Sequence, residues 1–183
     1  MFISVKELEL KKVRFEVAFP PGEIEFVDDG DRLSQATPLQ AEGSAELLPH
    51  TLDEIRVRGH LAVTMRCDCN RCLEPAEFPI DSSFDLFYRP AETAESSDDE
   101  EVEIDAQEAE IGFYQGGGVE LKDILREHVL LSMPMQRVCR DDCRGICPVC
   151  GHNRNLINCG CEAKLVDDRW SALKKLQVKE SAS

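Results

Sequence analysis

The sequence predicts an α+β protein: an antiparallel β-rich N-terminal part, barrel- or sandwich-like, then a helix and a cysteine-rich zinc-knuckle tail. Three observations carry this reading. Apolar and polar residues alternate over long stretches of the first 90 residues, the signature of strands with one buried face. A run of apolar residues at helical spacing begins near Val119. Six of the nine cysteines then crowd into Cys139 to Cys161.

The elements follow in order. Val13, Phe15, Val17 and Phe19 alternate with Arg14, Glu16 and Ala18, which predicts a strand. "PPG" at Pro20 to Gly22 breaks it, and "IEFV" from Ile24 is expected to resume it. "AEGSAELL" is a weaker strand candidate. The strongest alternation puts Ile55, Val57, Gly59, Leu61, Val63, Met65, Cys67 and Cys69 on one face. Phe78, Ile80, Phe84, Leu86 and Tyr88 answer it, so the two runs predict a long hairpin whose tip, "CNRCLEPAE", carries Cys69 and Cys72. Residues 1–90 are thus the β-rich part of one domain. Residues 91–118 are rich in Ser, Asp and Glu, poor in aromatics and free of basic residues, and are expected to be an acidic flexible loop. Residues 119–183 hold the rest. Leu121, Ile124, Leu125, His128 and either Val129 or Leu131 share a helical face that Pro134 ends. His128 on that stripe reads as a packed boundary histidine. "DDRWSALKKL" predicts a terminal helix that Asp167 or Asp168 caps and Trp170, Leu173 and Leu176 dock.

Charge is distributed unevenly. The net charge is −15. Residues 1–89 carry 17 acidic and 10 basic side chains, residues 90–121 carry 11 and none, and residues 122–183 carry 8 and 11. The acidity is therefore concentrated in the middle, and the cysteine-rich end is mildly basic. No apolar run approaches the roughly 20 residues that cross a bilayer. "MFISVKELEL" lacks the basic and apolar regions of a signal peptide. The expectation is a cytoplasmic protein with no membrane partner, whose thiols are kept reduced.

An odd cysteine count in such a compartment favours metal over disulfides. "CPVCG" places Cys147 and Cys150 two residues apart so that both sulfurs face one ion, while Pro148 stiffens the turn and Gly151 lets amides turn towards the sulfurs. Cys159 and Cys161 in "CGC" are a plausible second half. The reading is one four-cysteine zinc site with spare cysteines. The alternative is two sites, the second made by Cys139 and Cys143 with Cys69 and Cys72 of the hairpin tip, leaving Cys67 as a core thiol.

Two basic groups are candidates for phosphate contact. Arg137, Arg140, Arg144 and Arg154 outnumber Asp141 and Asp142, but a zinc ion bound by four thiolates is formally −2 and cancels the excess. Arg56, Arg58 and Arg66 form a row on the outward face of the hairpin strand, with Arg71 at its tip; ordinary solubilisation of the strand is the first reading of this row and phosphate contact the alternative. Enzyme chemistry is not expected. HExxH, GxGxxG and P-loop patterns are missing, no small-molecule substrate is indicated, and His50, His60, His128 and His152 are scattered.

"CNRCLEP", "LREHVLLSMPMQRVCRDDCRGICPVCG" and "DDRWSALKKL" together resemble the YceD-like family of large ribosomal RNA subunit accumulation proteins. The resemblance covers most of the chain. It implies a cytosolic, non-enzymatic ribosome-biogenesis factor that supports synthesis, processing or stability of the 23S ribosomal RNA. Its implied partners are ribosomal RNA or a large-subunit ribosomal protein. The metal reading carries over onto Cys139, Cys143, Cys147, Cys150, Cys159 and Cys161. Asp168 and Trp170 depart from the Pro and Leu common in the family's closing motif, which bears on capping and docking of the last helix. A redox-responsive zinc-thiolate switch or holdase chaperone is the competing reading, because CxxC and CxC pairs release metal when oxidised to disulfides.

Overall fold

In the computed structural model, residues 1–28, 31–51, 53–91 and 111–161 are described. Two antiparallel strands dominate, β7 (Ile55–Asp68) and β8 (Pro75–Pro90), paired from Ile55 opposite Tyr88 to Asp68 opposite Pro75. Ile55, Val57, Leu61, Val63 and Met65 point inward from β7, and Ala76, Ile80, Phe84 and Tyr88 from β8. The expected long hairpin forms because each strand has one apolar face to bury.

The other strands of this sheet are β2 (Val13–Phe19), β6 (Leu39–Leu47) and β9 (Ile111–Tyr114), in the order β2-β6-β7-β8-β9. A short strand, β5 (Ser34–Gln35), continues the edge of β7 beyond β6. The hydrogen-bonded order is an open path among the described residues. "AEGSAELL" belongs to a full nine-residue strand, β6, that contributes buried Leu39, Ala41 and Ala45. Its weak signal reflects small residues, which suit a site between two neighbours.

Local departures from expectation have physical causes. "IEFV" does not resume a strand at Ile24. Pairing begins only with β3 (Val27–Asp28) against β4 (Asp31–Arg32). Ile24 and Phe26 are buried in the core all the same. The stretch is held by α2 (Leu121–Ser132), whose Arg126 Nε donates to the Glu25 carbonyl at 2.8 Å and whose Lys122 pairs with Glu23 at 2.6 Å. A helix not anticipated, α1 (Val5–Leu10), follows β1 (Phe2–Ser4). Ser4 Oγ accepts from the Glu7 amide at 3.2 Å, so "SVKE" is a capping-box pattern in front of a helix too short to show an apolar period. β9 and the start of β10 (Gly118–Glu120) lie inside the segment expected as acidic loop. β9 runs parallel to β8, and β10 pairs with β1.

α2 buries Leu121, Ile124, Leu125 and Val129, while Leu131 is 77% exposed, which decides between the two alternatives for the stripe. His128 is half-buried, with Nε2 2.9 Å from Ser82 Oγ and its ring 5.2 Å from that of Phe84. Burial holds its imidazole below the ordinary histidine range. The unfolded chain therefore takes up that proton more readily, and stability falls as pH drops through about 6.5. His128→Gln is expected to flatten this acid limb in urea midpoints measured from pH 7.5 to 5; an unchanged slope would count against the assignment. The expected terminal helix at residues 167–176 lies outside the described residues.

Candidate metal centre

The hairpin tip positions the first pair of cysteines. Beyond Asp68 opposite Pro75 the ladder closes with Cys69 N donating to the Glu74 carbonyl and Leu73 N to the Cys69 carbonyl, both at 2.9 Å. Leu73 takes a positive φ of 62°, which turns the chain tightly enough to aim Cys69 and Cys72 the same way. Beyond α2 and Pro134 the chain returns to this tip. Asn70 N donates to the Arg137 carbonyl at 2.7 Å, and Ile146 N to the Arg71 carbonyl at 2.9 Å. Arg71 Nη1 reaches the carbonyls of Asp141 and Cys143, each at 3.4 Å. Gly145, at φ 68°, lies so close that an added Cβ would meet the Arg71 carbonyl oxygen at 2.8 Å. Any other residue there would push the tail off the tip.

This docking collects the cysteines into two groups of four. Cys69, Cys72, Cys139 and Cys143 form one; Cys147, Cys150, Cys159 and Cys161 form the other, and within each all sulfurs lie within 4.8 Å of one another. All eight candidate cysteines fall into these two groups, the grouping that the two-site alternative predicted. Cys67 is buried in β7, outside both groups. The tip group is mostly buried, with Cys69, Cys72 and Cys143 in the interior and Cys139 exposed. In the outer group Cys147 is buried, Cys159 half-buried, and Cys150 and Cys161 exposed.

In the tip group the spacing matches one ion. Four sulfurs about 2.3 Å from a tetrahedral zinc are about 3.8 Å apart. Cys69 and Cys143 are 3.9 Å apart, and Cys72 and Cys139 are 3.7 Å apart. A disulfide would need about 2.05 Å, and an iron–sulfur cluster would interpose its own sulfides between the cysteines.

Backbone amides prepare the sulfurs for negative charge. Burial raises the Cys69 thiol, but the amides of Cys139, Cys72 and Arg71 outweigh it and bring it down to about 6. Two of these hydrogen bonds are from Arg71 N at 3.4 Å and Cys139 N at 3.3 Å. The amides of Cys150 and Val149 likewise lower Cys147 to about 6, as the knuckle turn predicts. Desolvation, with Cys143, Cys72 and Cys69 crowding it, pushes Cys139 up to about 12. Cys161 is pushed up to about 12 by Cys150 and Cys159. Such a spread is what four thiols cause when they share one small space: the first to ionise penalises the others, and a divalent cation removes that penalty.

Several participants were not singled out from the sequence. Asn155 Nδ2 donates to Cys143 Sγ at 3.4 Å, and Asn153 Nδ2 donates to Glu74 Oε1 at 3.2 Å. The available signal was "NRNLIN", a cluster of the residues that hydrogen-bond their own turns.

The arginine row is not a free basic surface. Arg56 forks onto Asp85, with Nε to Oδ1 at 2.7 Å, and Arg66 reaches Glu77 at 2.6 Å. His60 is 2.8 Å from Asp81. The facing row on β8 is acidic, and Arg56, His60 and Arg66 are each matched by one of its carboxylates across the ladder. Arg71 is turned inward onto the tail. Of the two readings of the row, these cross-strand pairs fit solubilisation of the strand's outer face better than phosphate contact. In the tail, Arg140 lies 3.2 Å from Asp142. Among the described residues no helix is long and apolar enough to cross a membrane.

The chain is similar to uncharacterized proteins of Mycobacterium bovis and Mycobacterium tuberculosis, at 30% identity over 128 residues. That alignment takes in 69% of this chain and 58% of theirs, so the chain spans little more than half the length of these relatives. No solved structure matches. The family described as "Large ribosomal RNA subunit accumulation protein YceD" matches residues 57–177, which run from β7 through the hairpin tip and both cysteine groups. With that match over most of its length, the chain belongs to the YceD family.

Proposed function

We propose that the chain is a non-enzymatic, cytoplasmic factor in large-subunit ribosome biogenesis that supports synthesis, processing or stability of 23S ribosomal RNA. The family match over residues 57–177 carries this reading, because that span contains the hairpin, its tip and the cysteine tail as one module. The same reading assigns zinc to the two groups, as structural ions in closed tetrathiolate sites. Sulfur spacing near 3.8 Å in the tip group, sulfurs within 4.8 Å of one another in both, and soft thiolate ligands favour it. All four positions are filled by cysteine, so no open position remains for substrate.

Charge favours a basic ribosomal protein as the direct partner over naked RNA. The net charge is −15, residues 90–121 carry no basic side chain, and the hairpin's Arg56 and Arg66 are paired with Asp85 and Glu77. A polyanion would have to break those pairs, whereas a lysine-rich segment meets a complementary field.

Depletion in cells is the test. It is expected to lower 23S relative to 16S RNA and to reduce free large-subunit particles in gradients. Unchanged levels of both would overturn the proposal. Crosslinking in cells separates the partners, with a large-subunit protein expected and RNA alone arguing for the other contact.

A further inference from the structure

We infer that the two cysteine groups act as one coupled pair of metal sites, with Asn155 as the positioning residue that couples them. The inference rests on the metal reading above and goes further, to the order and interdependence of filling. Asn155 belongs to the outer group's loop, lying between the ligand pairs Cys147/Cys150 and Cys159/Cys161. Its side chain nevertheless serves the tip group. Nδ2 donates to Cys143 Sγ at 3.4 Å, while Oδ1 accepts from Arg144 N at 2.8 Å and from Arg140 Nη2 at 3.0 Å. Both of those donors flank tip ligands in sequence. One amide thus supplies a hydrogen bond to a tip sulfur and fastens the segment that carries Cys139 and Cys143.

The turn that presents Asn155 is held from both sides. Its own amide donates to Asn153 Oδ1 at 2.9 Å, and the amides of Leu156 and Ile157 donate to the Asn153 carbonyl. Asn153 is tied to Glu74 on the hairpin, and Arg154 N donates to the Gly145 carbonyl at 2.9 Å. A metal that closes the outer group fixes the two ends of this loop and sets Asn155 against Cys143. Hydrogen bonds from neighbouring groups orient and tune metal ligands. Filling of the outer site therefore strengthens retention at the tip site, and linkage makes the effect reciprocal. The exposed outer sulfurs make that site the first to exchange with a chelator, so the tip site holds its ion until the outer one is lost.

The experiment uses the full chain loaded with zinc and challenged with a chromophoric chelator. Two equivalents are expected, released in two phases. Cys150→Ser/Cys161→Ser, which removes the outer site, is expected to speed release of the remaining equivalent by about 10- to 100-fold. Asn155→Asp is nearly isosteric and keeps the Oδ acceptor, but it loses the N–H donor to Cys143. It is expected to bind two equivalents and to speed the slow phase by a similar factor. Combined with the cysteine variant it should add little, as expected when both changes break one link. In the cobalt-loaded protein, Asn155→Asp should shift the thiolate-to-metal charge-transfer band of the tip site, which a loss of turn stability alone would not do. Fewer than two equivalents in the wild type would overturn the metal reading and the coupling together. Two equivalents released independently, with Asn155→Asp leaving the slow phase and the band in place, would overturn the coupling alone.

Discussion

Cys72→Ser is expected to lower bound zinc from two equivalents to one and to free the tail from the hairpin. The tip group joins residues that lie 67 to 74 positions apart in the chain, so an ion bound there would close a long loop. Structural zinc sites bind with about 10–16 kcal/mol of apparent free energy near pH 7, more than any single contact contributes. Without an ion, the tail is held to the tip by hydrogen bonds of Asn70, Ile146, Arg71 and Asn153. Each contributes about 0.5–1.5 kcal/mol net, which does not offset the freedom regained by some 20 residues at about 1–2 kcal/mol each. Limited trypsin digestion with mass spectrometry should then show rapid cleavage after Arg140 and Arg144 while the β-sheet persists. A tail as resistant as the wild type's, with both ions retained, would sink the prediction.

Leu61→Ala is expected to destabilise the sheet by about 2–5 kcal/mol. Leu61 is fully buried at the middle of β7, opposite Ala41 on one side and Ser82 on the other. Both neighbours are small and leave a cavity unfilled, which places the cost towards the upper end. The change should appear as a lower urea midpoint at unchanged slope, whereas Leu131→Ala, on the exposed face of α2, should shift stability by less than about 0.5 kcal/mol. Equal effects of the two substitutions would mean that the inward face of β7 is misassigned. Because Leu61 belongs to the sheet core, zinc content per folded chain should stay at two. The two substitutions therefore separate the sheet from the staple.

Most of the main hairpin was legible because strand periodicity is a local property. Ile55 to Cys69 alternate without interruption, and Phe78 to Tyr88 answer them across a tip already marked by Cys69 and Cys72. The helix was legible for the same reason, since Leu121, Ile124 and Leu125 repeat at 3.6 residues. α1 was not, because six residues with one buried leucine contain too little period to recognise. The parallel return of β9 onto β8 was not either. Its partner was already satisfied on one edge, and no local pattern says which free edge a later segment joins.

The cysteines divide along the same line. Knuckle spacing in "CPVCG" already marked Cys147 and Cys150 as ligands of one ion, because two intervening residues set the reach of both sulfurs. Spacing left the other seven cysteines open between one group with spares and two groups, and the tertiary structure brings six of them into the two groups. Cys139 and Cys143 go to the tip group because the chain after α2 is pinned along Asn70 and Arg71, leaving Cys159 and Cys161 for the knuckle. The arginine row teaches the same lesson in reverse: its spacing on β7 was visible in the sequence, but Arg56 and Arg66 are paired with Asp85 and Glu77 of the neighbouring strand. Spacing along one segment determines which side chains share a face. Which faces meet, and so which thiols gather into one group and which charges are paired, is decided only when distant segments close on one another.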